Sequence, residues 1–484
     1  MSTFRTRKLS AATLLTLSLG ACSLAPAYHQ PTAPIPETWT QDTAHSKGAV
    51  MPLEIADMVT DEVLRDMVGA AIDRNRDLRQ ALLNVEAAYA EYGIKRSDSL
   101  PTVAMQGTGT RQRTPAGLSQ TGTAATASVY QAGFGVTAFE LDLFGRVRNL
   151  SESALQEYLA IEQNAQTVRI SLAAEVMQTY ILRKSSLARL EVTQRTLKAR
   201  EASLELTHQR RQVGAASAID LEDARGLTEQ ARADLEQIRR ELQQTNNAMR
   251  LLLGSSSLDI ELPGSQAPIF AVRPLGAGAP SELIRTRPDI IASENALKAR
   301  HADIGAARAA FFPRLSLTAF LGVSSPELSS LFRGHQRTWS FTPELNVPIF
   351  NAGRNQANLD LANVRRDIAV ARYEQTIQMA FREVADALVA NDTLREEIRH
   401  RQALFESSQR TLALAQARYR GGLDSSLKYL DAQRTAYANE IGLIDVATQG
   451  QIAIVSLFKA LGGRWYVTAD RTPADKEPRS GDLL

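Results

Sequence analysis

The side chains that most often perform chemistry in proteins are sparse in this sequence. It contains one cysteine, Cys22, so no disulfide can form within the chain, and the sequence shows no Cys/His cluster for a structural zinc. The six histidines are scattered without the spacing of metal ligands. They are His29, His45, His208, His301, His335 and His400. No nucleophile, base and orienting group stand together in a recognisable motif, so the sequence predicts no enzyme, no metal site and no non-covalent cofactor.

The cysteine ends an N-terminal segment with the features of a secretion signal. Basic residues precede an apolar stretch from Leu9 to Leu19, which is too short to span a membrane. The small residues that lead into Cys22 resemble the lipobox of bacterial lipoproteins. This resemblance implies that residues 1-21 form a lipoprotein signal peptide and that Cys22 carries a diacylglycerol thioether and an N-acyl chain. The alternative is an ordinary signal peptide with an incidental thiol.

The overall composition disfavours nucleic acid as a partner and gives no sign of a transmembrane helix. The chain has 484 residues, with 55 Lys and Arg against 53 Asp and Glu, and this near neutrality disfavours nucleic acid. After the signal, no uncharged run is long enough to predict a transmembrane helix.

Two halves of the sequence share markers at nearly constant spacing. Three markers recur 212 residues later and four recur 208 residues later, which predicts one architectural unit used twice. The pairs are Asp77 and Asp289, Gly93 and Gly305, Pro101 and Pro313, Gly145-Arg146 and Gly353-Arg354, Gly214 and Gly422, Asp223 and Asp431, and Leu253-Gly254 and Leu461-Gly462.

Each half is predicted to contain a helix, a β-hairpin, a long helix, a turn and a returning helix. We expect the hairpins at about 101-144 and 313-350, and helices that begin near Asp61 and Pro280 and stop before Pro101 and Pro313. The predicted division of the chain is a signal at 1-21, a lipid-anchored extended segment at 22-60, repeats at 61-254 and 281-463, a connection at 255-280 and a tail at 464-484.

The predicted strands have the alternation and length of tilted membrane strands, about nine to eleven residues. A change of parity between Ala138 and Phe139 indicates either a bulge or the point where the strand leaves its apolar surroundings. Aromatic residues suited to a membrane interface flank the strands. They are Phe144, Phe311, Phe312, Trp339 and Phe350. Four strands cannot close a barrel in lipid, so at least two chains giving eight strands, or three giving twelve, must share one barrel. A water-soluble sheet packed on the helices is the alternative.

Two uninterrupted helical patterns, Arg146 to about Arg211 and Arg354 to about Tyr419, predict helices of about 100 Å. Helices of that length are typical of coiled coils. Glycines at 214 and 421-422 then let the chain reverse into shorter returning helices.

Several motifs resemble the outer membrane efflux proteins of the TolC class, in their OprM/NodT-type lipoprotein branch. These motifs are Arg287 to Ile290, Ile304 to Pro313, Ala417 to Gly422, Leu430 to Arg434 and Lys459 to Gly463. The resemblance covers essentially the whole mature chain. It implies a mainly α fold with a transmembrane β-barrel, in which a homotrimer builds a 12-stranded barrel that continues into a 12-helix periplasmic tunnel. It also implies an outer membrane location, a periplasmic adaptor (membrane fusion) protein and an inner-membrane pump of the resistance-nodulation-division type.

The resemblance further implies a periplasmic gate. Leu427 and Asp431 match positions that constrict the closed tunnel, and Asp223 is the repeat equivalent of Asp431. Three copies of each aspartate around one axis would form a ring that attracts cations. Arg418 and Arg420 would hold the closed state through ion pairs or hydrogen bonds between helices. Alternatively, the aspartates lie on a solvated face or cap a helix, and Leu427 is ordinary coiled-coil packing.

The two hairpin turns resemble the tips that meet the adaptor. The implied contact residues are Val213, Gly214, Ala215, Gly421, Gly422 and Leu423. The simpler interpretation is that the glycines only reverse the chain, and both roles are compatible. A rival function is a non-conducting, lipid-anchored coiled-coil bridge in the periplasm. The sequence does not determine the transported substrates, the particular pump, or which hairpin opens.

Overall fold

The computed structural model describes residues 24–34, 59–119, 122–255 and 284–463. They fall into two compact units. The strand unit lies within Met1–Ala33, Leu83–Gln163 and Ile291–Gln375, and the hairpin unit lies within Pro34–Leu82, Asn164–Ile290 and Thr376–Leu484. Cys22, the predicted signal, most of the predicted connection and the predicted tail lie outside the described residues.

The described elements repeat one order twice, helix, strand pair, long helix and returning helix. In chain order they are α1 (Glu62–Arg74), α2 (Arg76–Ser97), β1 (Val103–Thr114), β2 (Ala125–Leu141), α3 (Arg146–Gln212), α4 (Ala218–Leu253), α5 (Pro288–Ala309), β3 (Arg314–Ser325), β4 (Arg337–Asn346), α6 (Arg354–Arg420) and α7 (Ser426–Ala460). The mainly helical class, the four strands and the twofold repeat are confirmed.

The first helix of repeat one is interrupted, whereas the sequence predicts one helix from Asp61 to Ser97. Asn75 has an extended backbone with ψ of 135° and ends α1. Its side-chain oxygen accepts the amides of Asp77 and Leu78 at 2.9 and 3.0 Å and so caps α2. Its side-chain nitrogen donates to the carbonyl of Leu252 at 3.0 Å. Because the helical period continues across the break, periodicity alone does not reveal this cap.

We call the break at Asn75, with its bond to the end of α4, the first joint. Repeat two has an equivalent joint, in which a different residue binds the end of α7. Arg287, 212 residues after Asn75, precedes α5 and donates to the carbonyl of Ala460 at 2.7 Å. The same guanidinium pairs with Asp289 at 2.6 Å and Glu383 at 2.8 Å. Burial disfavours the charged guanidinium, but the hydrogen bonds and negative charges of Asp289 and Glu383 together outweigh it, so the pKa of Arg287 is raised. The second joint is therefore a largely buried ion-pair centre.

The core of the hairpin unit lies around α1, the middle of α3 and the ends of α4 and α7. Its fully buried side chains include Leu64, Met67, Met177, Tyr180, Met249 and Phe458. Among the described helices, α7 alone is long and apolar enough to cross a membrane by length and composition. Its apolar side chains Val455, Leu457 and Phe458 are buried, whereas only 33% of its most apolar 18-residue window is buried within the chain.

The sheet of the strand unit is antiparallel in the order β1-β2-β3-β4, so the central pair joins the two repeats. One face carries transverse rows of apolar side chains, because paired residues in neighbouring strands point to the same side. The rows are Met105, Phe134, Leu321 and Trp339, and Val103, Val136, Ala319 and Phe341. Most of these side chains are exposed in the single chain, Met105 to 77% and Trp339 to 75%.

The predicted bulge in β2 is confirmed. The pairing of β2 with β3 shifts between Val136 and Phe139, and Ala138 has φ of 48°. With 17 residues, β2 exceeds the predicted strand length, and it contains this irregularity, whereas β4 has 10 residues. Beyond the sheet, Phe144 stacks on Phe312 with ring centres 4.7 Å apart.

Candidate functional site

Both hairpin tips turn through a glycine at the same position of the repeat. Gly214 and Gly422 have φ of 78° and 71°, in the left-handed region that favours a residue without Cβ. In each tip the next amide donates to the carbonyl five residues earlier, at 2.7 Å in the first and 2.9 Å in the second. This pattern satisfies carbonyls at the helix end and closes the hairpin.

The predicted adaptor-contact residues all lie on the surface of the tips. Val213 is 79% exposed and Leu423 is 70% exposed. The other four, Gly214, Ala215, Gly421 and Gly422, are also exposed. Each tip therefore presents one large apolar side chain beside small residues that leave its backbone accessible.

Two of the predicted gate residues, Leu427 and Asp431, lie on the same exposed side of α7, which we call the exposed line. Leu427 and Asp431 are one turn apart, both exposed, with Leu427 at 67%. The opposite face of this helix is buried. Its residues include Tyr429, Leu430, Ala432, Gln433 and Ala436. The predicted gate pair thus faces away from the packing surface of its own helix.

The first hairpin repeats this exposed line with a different charge balance. Ile219, 73% exposed, and Asp223 occupy the positions equivalent to Leu427 and Asp431. Asp431 pairs with Arg434 at 2.5 Å. Gly226 stands at the equivalent position in α4, and Asp223 has no hydrogen bond or ion pair with any residue that the structure describes.

Of the two predicted gate arginines, Arg418 pairs within its own hairpin. It donates to Asp424 at 2.5 Å, and this hydrogen bond lowers the pKa of the Asp424 carboxyl. Lys428 lies 3.6 Å from the same carboxylate. Arg420 is exposed and forms neither a hydrogen bond nor an ion pair with the described residues. Neither arginine bridges the two hairpins within one chain.

A contact between the two tips involves residues that the sequence analysis misses. Ser217 and Asp220 form a capping box at the start of α4. The hydroxyl of Ser426, at the start of α7, donates to the other oxygen of Asp220. The Ser426 hydrogen bond, followed by those of Ser217, lowers the pKa of Asp220. The spacing of Ser217 and Asp220 indicates the local cap, but no sequence signal indicates the partner on the other hairpin.

Stacked side chains form a second connection near the tips. The Arg210 guanidinium lies 4.5 Å from the ring centre of Tyr419. Tyr419 stacks on Tyr429 with ring centres 5.3 Å apart, and Gln433 donates to the Tyr429 hydroxyl at 2.6 Å. Burial raises the pKa of Tyr429. The difference between Leu221 and Tyr429 at equivalent positions is the sequence signal of this asymmetry.

Farther along the hairpins, Tyr437 of α7 connects both helices of the first hairpin. Its hydroxyl lies 3.0 Å from that of Thr193 in α3 and donates to Asp234 in α4 at 3.3 Å. The buried Arg200 guanidinium lies 5.1 Å from the Tyr437 ring centre and donates to the Leu227 carbonyl at 2.7 Å. Burial lowers the pKa of Arg200. This network holds the hairpins together at a distance from the tips.

The arrangement supports charge placement and movement of helices, not covalent chemistry. Among the described residues, no cluster of His, Cys, Asp or Glu has the geometry of a metal site. The carboxylates at the tips are held by hydroxyl groups or by basic side chains, except Asp223, for which the described residues provide no such partner. Such a site can attract ions and can hold or release a contact between hairpins.

Comparison with known proteins gives one coherent set of similarities. The family model described as "Outer membrane efflux protein" matches residues 67–255 and 279–463. Outer membrane protein OprJ of Pseudomonas aeruginosa is 52% identical over 457 residues, which cover 94% of this chain and 95% of OprJ. The toluene efflux pump outer membrane protein TtgC of Pseudomonas putida is 42% identical over 476 residues, covering 95% and 96% of the two chains.

A solved structure extends the similarity to three dimensions. The crystal structure of the open state of the Neisseria gonorrhoeae MtrE outer membrane channel matches with a TM-score of 0.84 and 36% sequence identity. The match covers 91% of this chain and 98% of MtrE.

Proposed function

This chain belongs to the outer membrane efflux protein family, and from that premise we propose that three copies of it form one channel. The chain is an outer membrane channel component of an efflux system in a Gram-negative bacterium, it extends into the periplasm, and it is not an enzyme. Substrates move through it passively, after an inner-membrane pump has supplied the energy.

The observation that supports the shared channel most strongly is the exposed apolar face of the sheet. The row that contains Met105 and Trp339 crosses all four strands, as does the row that contains Phe341. Burial in lipid would remove this face from water. The outer edges of β1 and β4 have no partner strand among the residues that the structure describes. Open edges are costly in lipid, so pairing β1 of one copy with β4 of the next closes the sheet, and three copies give twelve strands.

Two neighbouring positions test this assignment. Phe341 lies on the apolar face near the middle of β4, and Thr342 points to the opposite face. Phe341→Arg is expected to cost about 2 to 4 kcal/mol per chain and to prevent stable membrane insertion. Thr342→Arg is expected to insert, assemble as a trimer and conduct in a planar bilayer. Equal insertion of the two variants, or a native mass of one chain, would contradict the proposed channel.

The exposed line on α7 supports a gate at the hairpin ends. Leu427 and Asp431 face away from their own chain, where three copies would bring them around one axis. Asp223 places a second carboxylate at the equivalent position of the first hairpin. We assign Arg418 to holding its own tip, and Arg420 to a contact with a neighbouring copy. A conducting trimer whose conductance and opening are unchanged by Asp431→Ala and Arg420→Ala would exclude these roles.

The exposed tips support docking of a periplasmic adaptor protein. The apolar side chains of Val213 and Leu423 stand beside accessible glycine and alanine backbone, a combination suited to a partner helix. Bulky substitution of Gly214 or Gly422 would abolish efflux while trimers still assemble. Loss of the trimer in those variants would mean that the glycines are structural only.

The remaining parts of the proposal rest on the sequence. Cys22 is the lipidated residue and anchors the segment 22-60 to the outer membrane. The repeats occupy 61-254 and 281-463, joined by 255-280. The adaptor connects the channel to a pump of the resistance-nodulation-division type, and the pump selects the substrates. Growth of a deletion strain on a panel that includes toluene and antibiotics would identify the compounds exported.

A further inference from the structure

The first described residues of the chain lie along α5 in the strand unit. We call Leu24 to Gln30 the strap. Arg308, in the last turn of α5, donates to the carbonyl of Leu24 at 3.2 Å. We propose that α5 and the adjoining part of α6 form a recognition site for this strap, and that the site fixes the position at which the chain's N-terminal lipid meets the membrane.

Among the strap residues, Tyr28 makes three specific contacts with α5. Its hydroxyl donates to Glu294 at 3.2 Å, and the Lys298 ammonium lies 5.5 Å from its ring centre. His301 packs against the same ring edge to face, with ring centres 5.3 Å apart. Burial, and then the charge of Glu294, raise the pKa of Tyr28. Three residues spaced along one helix face therefore recognise one side chain of the strap.

The strap also joins α5 to α6. The side-chain amide of Gln30 donates at 2.9 Å to the hydroxyl of Tyr373, whose side chain is fully buried in α6. Tyr28 contacts α5, and Gln30, two residues later, contacts α6. The strap therefore connects these two helices. A loosely attached terminus would not make specific polar bonds to both.

Gly305 of α5 lacks a Cβ atom and so allows the start of the strap to lie close to the helix. A Cβ atom there would lie 2.8 Å from the Cβ of Ala25 and would also collide with the side chain of Asn149. The equivalent glycine of repeat one, Gly93, has no atom within 4 Å of the same point. At this position of α5 the strap and Asn149 together leave no room for a Cβ atom, whereas the equivalent position of α2 is open.

Repeat one lacks the polar groups of the site. The positions equivalent to Glu294, Lys298 and His301 are occupied by other residues. They are Leu82, Glu86 and Tyr89. The hydrogen-bond acceptor Glu294 is thus replaced by an apolar leucine, the cation Lys298 by a glutamate, and the imidazole ring of His301 by a tyrosine. The recognition site exists only in the second repeat.

The direction of the strap gives the site its role. Leu24 meets the end of α5 that leads into β3, and Tyr28 contacts α5 between His301 and Glu294, about two to four turns farther from the strand. Two residues of extended chain span at most about 7 Å, so Cys22 is tethered within that distance of Leu24. This step rests on the proposed lipidation of Cys22. The strap then holds the acyl chains beside the membrane end of the second strand pair.

Protection of the strap from proteolysis tests the site. Chymotrypsin cleaves after accessible tyrosines, and cleavage after Tyr28 yields a new N-terminus at His29. In outer membrane preparations of the full chain, we expect Gly305→Ala and Arg308→Ala each to raise the rate of this cleavage about tenfold or more over the parent. The repeat-equivalent substitutions Gly93→Ala and Arg96→Ala are expected to leave it unchanged. Arg308 is exposed, so its variant remains informative if Gly305→Ala disturbs Asn149.

Two outcomes separate the strap site from the lipid proposal. Equal cleavage rates in the parent and all four variants would overturn the recognition site. The mass of the released fragment Cys22–Tyr28 shows independently whether the cysteine is acylated. An unmodified fragment would overturn the lipidation and the positioning of acyl chains, while the difference in cleavage rates would still establish the docked strap.

Discussion

The two hairpin tips share one backbone turn but differ in how they place charge. Both reverse through a left-handed glycine at the same repeat position. The first tip has a serine–aspartate capping box, and Asp223 forms no hydrogen bond or ion pair with the part of the chain that the structure describes. In the second tip, the cap residue Ser425 makes no side-chain cap bond, and Asp431 is compensated by Arg434. The backbone thus preserves the shape of the repeat, while substitutions on its surface give each hairpin separate electrostatics.

The two joints at the other end of the hairpin unit differ in the same way. Asn75 and Arg287 each bind a carbonyl at an equivalent point near the end of the returning helix. Arg287 additionally binds two carboxylates, one of them Glu383 on α6. In repeat one the residue equivalent to Glu383 is Glu175, which is exposed. The first joint therefore binds the returning helix α4 through one neutral hydrogen bond from Asn75. The second joint binds the returning helix α7 and also the long helix α6 through an ion pair.

The largest expected effect comes from removing the charged joint. Arg287→Ala leaves a carbonyl and two carboxylates without their partner, and we expect it to lower the free energy of unfolding by about 3 kcal/mol or more. Asn75→Ala removes a cap and one hydrogen bond and should cost about 1 to 2 kcal/mol. Denaturant unfolding of the detergent-solubilised protein measures both. If Asn75→Ala costs as much as Arg287→Ala, the contrast between the joints is wrong.

A smaller effect is expected from the contact between the tips. Asp220→Ala removes the acceptor for Ser426, a bond worth about 1 kcal/mol at this half-buried site, so opening of a closed channel should become about fivefold more frequent. Planar-bilayer recordings measure this frequency. Glu222→Ala, two residues away with a partner only on its own helix, is the control and should have little effect.

The same contact predicts a pH dependence. The pKa of Asp220 is lowered in the folded chain, so the contact contributes above about pH 4 and is lost as the pH falls through the lowered pKa. Opening should therefore increase in acid below about pH 4 in the parent. Asp220→Asn should reduce this increase, and an identical acid response in that variant would assign it to other groups.

The helix caps provide a still more local comparison. Ser217→Ala removes a side-chain cap at the start of α4 and should destabilise that turn by about 0.5 to 1 kcal/mol. Ser425→Ala removes no cap bond and should change little. Hydrogen exchange of the first-turn amides of α4 and α7 resolves the two effects. Equal changes at both helices would contradict the difference in capping.

The smallest effect is expected from exchanging charge between the two exposed lines. Arg434→Ala leaves Asp431 uncompensated and should raise the preference for K⁺ over Cl⁻ by roughly twofold. Gly226→Arg gives Asp223 a cation at the position equivalent to Arg434 and should lower that preference by a similar factor. No atom lies within 4 Å of the Cβ position at Gly226. Reversal potentials in a KCl gradient measure both changes, and shifts of the same sign would exclude the assigned geometry.

Local patterns in the sequence predict the elements, while they miss the joints and the tip contact. Helical period, strand alternation and turn glycines depend on residues a few positions apart, and the parity change at Ala138 likewise indicates the bulge. The break at Asn75 does not interrupt the helical period, and one of the bonds that fix Asn75 is to a carbonyl 177 residues away. Asp220 and Ser426 are 206 residues apart, so neither local sequence contains the other.

The sequence by itself determines the twofold repeat, the mainly helical class and the positions at which the chain reverses, because these follow from composition and short-range periodicity. Tertiary structure decides which strands pair across the repeats, which aspartate is compensated and where the strap lies. These features depend on distant groups meeting with the correct distance and direction, a condition that residue spacing along the chain does not specify.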